Sequence, residues 1–119
     1  MKHTLVLGAS EKHERYSNQA VRLLKSYQHP VTAIGLKTGE IEDTPIFTQI
    51  PENCLPDTVT LYIQPEILKT YAEDIIRMKP KRVIFNPGTE HTELATIFRN
   101  NGIAVCEACT LVMLRTGQY

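Results

Sequence analysis

Short apolar runs punctuate this chain, and between them apolar residues recur at helical spacing. Thr4 to Leu7, Val31 to Gly35, Thr58 to Ile63, Arg82 to Phe85 and Ile103 to Cys106 are such runs, most of them bounded by glycine, proline or polar residues. Runs of this length read as strands of a parallel sheet covered on both faces. Ala20, Val21, Leu24 and Tyr27, with Leu23 broadening the stripe, predict a helix from a Ser17 N-cap to about Tyr27, closed off by Pro30. Ile67, Leu68, Tyr71, Ala72, Ile75 and Ile76 predict a second helix over 66–78, with Pro65 in its first turn and Lys79-Pro80 ending it. A third helix from about His91 to Asn100 buries Leu94, Ala95 and Phe98 and stops at Asn101-Gly102. Leu111 to Leu114 predicts a terminal helical turn. Residues 41–57, carrying Pro45, Pro51 and Pro56, read as irregular apart from a brief extended piece at Ile46-Phe47.

Strands alternating with helices of this size imply right-handed crossovers and an open, doubly wound α/β domain on a five-stranded, mainly parallel sheet. Ligands of such sheets bind where loops leave the carboxyl ends of strands near the topological switch point. That rule brings together residues 8–17, residues 35–39, Gln64-Pro65 and Asn86-Pro87-Gly88, which are polar or rich in glycine and proline. Leu5-Val6-Leu7-Gly8-Ala9-Ser10 is the central stretch: Gly8 permits a sharp turn and a close ligand approach, and the amides beyond it can hold an anion. The same pattern also fits a tight turn with no ligand.

Composition narrows the function. At 119 residues the chain is of one-domain size, 1–119. Its 13 basic and 13 acidic residues cancel, which argues against a nucleic-acid groove. No apolar run approaches the roughly 20 residues that span a bilayer, and Met1-Lys2-His3-Thr4 leads straight into the first strand without a signal peptide. Three cysteines form no complete disulfide framework. The expectation is a cytoplasmic protein with neither membrane nor nucleic-acid partners.

A dinucleotide fingerprint is incomplete, because Ser10 and His13 occupy the later glycine positions. Gly35 and Leu36 stand where an acidic residue would meet the ribose, and no G-x-x-x-x-G-K-[S/T] pattern occurs. A phosphate-bearing nucleotide held differently is the remaining reading. Lys12, His13, Arg15 and Lys37 are its cationic candidates, although each taken alone also fits solvated surface.

Gly8-Ala9-Ser10, the Ser17-Asn18 helix opening, the 35–39 loop, Gln64-Pro65, Asn86-Pro87-Gly88 and a last strand ending near Cys109 together resemble the small bacterial CoA-binding proteins. These are stand-alone relatives of the nucleotide-binding domain of the succinyl-CoA synthetase α-subunit. The resemblance implies a Rossmann-like fold and a coenzyme A crevice, usually without an assigned reaction. It places Gly8, Ala9 and Ser10 at the phosphates, Lys37 in the loop after the second strand, and Gln64-Pro65 and Pro87-Gly88 at two further turns. Gly35-Leu36 replaces the family's Asn-Pro at one wall. The synthetase's catalytic histidine belongs to a further domain and has no counterpart here. Lys12, His13 and Ser17 join the candidate ligand set, with Leu36 and Ile63 lining a slot for adenine.

Other chemistry-bearing residues have quieter readings. Cys106-x-x-Cys109 is read as packed thiols ahead of a redox or metal role, since Cys54 is isolated and no second ligand pair matches. Glu90-His91-x-Glu93 reads as an acid/base cluster, as a two-carboxylate metal site, or, ahead of both, as favourable charge in a helix's first turn. Ser10 lies in no nucleophile elbow. Tyr16, Tyr27, Tyr62 and Tyr71 are expected to seat helices or core. Two alternatives to a binding module stay open: a small enzyme acting on an acyl-CoA or nucleotide cofactor, and a regulatory protein with a degenerate nucleotide site. A homodimer or a partner enzyme is also compatible with an unpaired sheet edge.

Overall fold

The computed structural model describes residues 1–119. In chain order the elements are β1 (Thr4–Leu7), α1 (Tyr16–Ser26), β2 (Val31–Ile34), β3 (Gly39–Ile41), β4 (Thr44–Phe47), β5 (Thr58–Leu61), α2 (Pro65–Met78), β6 (Arg82–Phe85), α3 (Thr92–Asn100), β7 (Ala104–Glu107) and α4 (Thr110–Arg115). They form one α/β unit with a seven-stranded sheet in the order β3-β4-β2-β1-β5-β6-β7. Every neighbouring pair is parallel except β3 with β4.

The strand number is therefore seven rather than five. The two additional strands, β3 and β4, make a hairpin across Glu42-Asp43, within and just ahead of the stretch read as irregular. Pro45 is compatible with this because β4 pairs with β2 only through Ile46 and Phe47, so its missing N–H falls ahead of that ladder. Lys25 on α1 forms ion pairs with Asp43 and Glu42, holding the hairpin tip against the helix.

Side chains alternate across the strands and build a core on each face. Leu5, Leu7, Val59, Leu61, Val83 and Phe85 meet Leu68 and Ile75 of α2 and Leu94 and Phe98 of α3. Val6, Ala33 and Ile46 meet Val21 and Leu24 of α1 and Leu114 of α4. The register is flush: Leu7 lies opposite both Ile34 and Leu61, and Leu61 opposite Phe85. Those strand ends consequently deliver their following loops to one level. From β1 the chain lays β2 beside it, runs out to the edge strand β3, returns as β4 between β3 and β2, and then crosses to β5 on β1's other side, so strand order reverses around β1.

Helix boundaries shift where capping differs from expectation. Arg15, not Ser17, is the N-cap of α1, and no side chain caps it. Ser17 lies in the first turn, buried at 4% exposure. Pro65 does open α2, and Lys79 closes it in the left-handed region at φ 52°. No helix is long and apolar enough to cross a membrane.

Candidate functional site

A crevice of about 570 Å³ opens over the carboxyl ends of β1, β2 and β5. Gly8 to Lys12 and Arg15 form one wall, Leu36, Lys37 and Thr38 a second, and Tyr62, Ile63, Gln64 and Ile67 the third. All three loops leave strands adjacent at the reversal point, where sheet geometry forces neighbouring loops apart.

The first turn is shaped by backbone approach. Gly8 has φ +103°, and a Cβ there would stand 2.6 Å from the Tyr62 carbonyl oxygen. A Cβ on Gly35 would stand 2.4 Å from the Ala9 carbonyl oxygen. The neighbouring β5 loop thus demands glycine at position 8 whether or not a ligand approaches there. The amides of Gly8 and Ala9 are already committed to the Ile34 carbonyl, at 2.8 and 2.9 Å. Those of Ser10 and Glu11 have no acceptor within the chain, so the available donors lie one step beyond the expected Ala9.

The loop after this turn is tethered at several points. Asn18, 3% exposed, donates to the Ser10 carbonyl at 2.8 Å, and the Lys12 amide donates to Ser10 Oγ at 3.1 Å. Arg22 Nε donates to Asn18 Oδ1 at 2.8 Å and its Nη2 to the His13 carbonyl at 3.0 Å. Glu11 Oε2 accepts from the Glu40 amide at 2.9 Å. The charge of the crevice comes from Lys12, Arg15 and Lys37. None of the three pairs with a carboxylate, whereas Lys25, Lys69, Arg77 and Lys81 do. Leu36, 78% exposed, adds apolar surface to the second wall, and Tyr62, Ile63 and Ile67 add it to the third. Burial pushes the Tyr62 phenol well above its ordinary range, and its hydroxyl lacks a hydrogen-bond partner.

Of the residues expected at the site, Gly8, Ala9, Ser10, Lys12, Leu36, Lys37 and Gln64 share this crevice. The others lie elsewhere. Ser17 is enclosed in the first turn of α1, and Pro65 sits half-buried at the start of α2. His13 opens onto a separate cavity of about 440 Å³ between α1 and α4, with Arg22 and Arg115. Pro87 and Gly88 follow β6, which is separated from β1 by β5, roughly 10 Å away at two strand spacings. The convergence of four loops reduces to three for that reason. Arg15 and Ile63 join the lining as their chain positions suggested. Glu11, Thr38, Tyr62 and Ile67 are additions that sequence pattern did not single out. Ile67 was legible as part of the apolar stripe of α2, but its place one turn above the strand end depends on tertiary geometry.

The chemically suggestive groups outside the crevice have structural work. Asn86, 2% exposed, donates to Thr60 Oγ1 at 2.7 Å and to the Leu61 carbonyl at 2.8 Å, and accepts from the Thr110 amide at 2.9 Å. Both carboxylate oxygens of Glu90 accept from the Gly88 amide, at 3.1 Å or less. His91 is the N-cap of α3, its Nδ1 accepting from the Leu94 amide at 3.2 Å. Neither Glu90 nor His91 lines the crevice. Cys54, Cys106 and Cys109 are free thiols, the first buried and the others half-buried. Burial raises the Cys54 thiol pKa.

A family model described as "CoA binding domain" matches residues 2–115. The chain belongs to the CoA binding domain family. This agrees with the CoA-binding family read from the sequence. The fold recurs among solved structures. A crystal structure of an uncharacterized protein is 45% identical with a TM-score of 0.96, the match covering 100% of this chain and 98% of that one. A Thermus thermophilus protein is 20% identical with a TM-score of 0.86, covering 99% and 90%. The Ca. Korarchaeum cryptofilum dinucleotide forming acetyl-coenzyme A synthetase 1, solved with phosphate and ADP, is 18% identical with a TM-score of 0.75, covering 90% of this chain and 25% of that one. The last two show likeness of fold. No curated protein matches.

Proposed function

We propose that residues 1–119 act as one Rossmann-like CoA-binding unit, with coenzyme A held in the crevice through its phosphates and adenine. The observation that carries this reading is the set of three unpaired cations, Lys12, Arg15 and Lys37, sharing one crevice with the free Ser10 and Glu11 amides and with the apolar Leu36, Tyr62, Ile63 and Ile67. Cations and preorganised amides suit phosphate oxygens, and apolar surface beside them suits a purine. Membership of the CoA binding domain family supports coenzyme A over other nucleotides, and a synthetase of the same fold was solved with phosphate and ADP. The reading assigns binding, not turnover. The carboxylate in the crevice, Glu11, is hydrogen-bonded to the Glu40 amide, and Glu90 and His91 are engaged elsewhere.

Isothermal titration with coenzyme A tests the proposal. Saturable binding is expected, weakening as salt is raised, with Arg15→Gln and Lys37→Gln each lowering affinity about tenfold, as for loss of one charge-assisted hydrogen bond. No heat at millimolar coenzyme A, or equal affinity in the double variant, would overturn it.

A further inference from the structure

Glu11 is the one carboxylate lining a crevice whose other charged groups, Lys12, Arg15 and Lys37, are cations. A negative charge there repels a phosphate ligand, so its position calls for a separate reason. The geometry supplies one. Glu11 Oε2 accepts from the Glu40 amide at 2.9 Å, across 29 residues of chain. Gly39 lies directly against the same side chain: a Cβ on Gly39 would fall 2.3 Å from Glu11 Cδ and 2.7 Å from Oε1. Within residues 8–15 this is the one hydrogen bond that reaches the β3–β4 hairpin.

The Lys25 ion pairs hold the tip of this hairpin, and the Glu11 hydrogen bond holds the start of β3. β3 has three residues, pairs with β4 alone and forms the edge of the sheet. Lys37 and Thr38, which form the second wall, immediately precede Gly39. Fixing Gly39-Glu40 therefore fixes the wall that faces Ala9 and Ser10.

We propose that Glu11 is a positioning residue: its carboxylate pins β3 to the first loop and thereby holds Lys37 in register across the crevice. Its charge opposes the ligand, while its hydrogen bond organises the ligand's site. The effect on ligand affinity rests on the coenzyme A reading above; the pin itself does not.

Two substitutions at this exposed position separate the hydrogen bond from the charge. Glu11→Gln keeps an oxygen able to accept from the Glu40 amide and removes the charge. Glu11→Ala removes both. Coenzyme A titration is expected to show E11A binding about tenfold more weakly than the native chain, and E11Q at least as tightly as it. In the ligand-free protein, hydrogen exchange at the Glu40 amide is expected to speed up in E11A and to stay near native in E11Q. Gly39→Ala, by pushing Glu11 aside, should accelerate exchange as E11A does. If E11A binds as tightly as E11Q or tighter, Glu11 is only a repelling charge and the proposal fails. Unchanged Glu40 exchange in E11A also sinks it. Absence of coenzyme A binding in every form, with exchange accelerated in E11A, would remove the coenzyme reading and leave the pin standing.

Discussion

At the scale of single residues, the amino-terminal end of the sheet carries a sharper electrostatic commitment than its neutral net charge suggests. His29 is half-buried, its Nδ1 accepts from the Lys2 amide at 3.0 Å, and its ring lies 4.9 Å from that of Tyr119. Burial, followed by the chain's amino terminus, Lys2 and Arg82, lowers its pKa below 6.5. The folded state therefore binds this proton less readily than the unfolded chain does. Stability contributed by neutral His29 is present above 6.5 and is lost as pH falls through that value towards the folded pKa. Urea midpoints measured from pH 7.5 down to about 5 should decline, and the slope should be shallower in His29→Gln. Gly8 and Gly35 give a second residue-scale expectation. Alanine at either position drives a Cβ into backbone carbonyl, so each should lower unfolding free energy by about 2–3 kcal/mol in urea titrations. Loss of ligand binding in such variants reports a displaced turn rather than a deleted contact. The sequence showed that glycine mattered at position 8; the identity of the neighbour, the Tyr62 carbonyl, lay 54 residues away and had no local signal.

At the scale of elements, the long periodic segments were legible and the short edge hairpin was not. The first three helices repeat often enough to declare their period, and the five apolar runs stand out as continuous stretches bounded by turn residues. The β3–β4 hairpin spans three and four residues and turns through Glu42-Asp43, lacking the Asn-Gly or Asp-Gly signature of tight hairpins. Its three nearby prolines reinforced the irregular reading. The same scale explains why Asn86-Pro87-Gly88 looked like a ligand loop. Asn86 instead joins β5, β6 and α4 through Thr60, Leu61 and Thr110, a buried polar group satisfied on three sides. Asn86→Ala leaves those partners unpaired and should cost about 3 kcal/mol, read as a lower thermal midpoint. Asn86→Asp supplies the acceptor for the Thr110 amide but not the donor, so it should not restore the native midpoint.

At the scale of the whole molecule, binding and cohesion occupy opposite ends of the sheet. The crevice lies at the carboxyl ends of the central strands. At the other end, Tyr119 bonds through its hydroxyl to Thr4 Oγ1, and Arg82 lies 4.2 Å over its ring. It thereby ties the last residue of the chain to the first strand and to β6. Tyr119→Ala should destabilise the fold by about 2 kcal/mol, through the lost cation–π and hydroxyl contacts, while changing coenzyme A affinity little; thermal denaturation beside titration checks both. Sequence order predicted a crevice at the strand reversal, and one opens there. It could not decide between three loops and four, because strand adjacency across β5 and β6 is a property of the assembled sheet. The Asn18 bridge has a kinetic consequence. Because Asn18 joins Ser10 to Arg22, and Arg22 in turn holds His13, the loop beside the crevice is bolted to a helix at both shoulders and has no free flap to swing. Ligand arrival should then be a single collision, its observed rate climbing linearly with concentration and never levelling off in stopped-flow mixing.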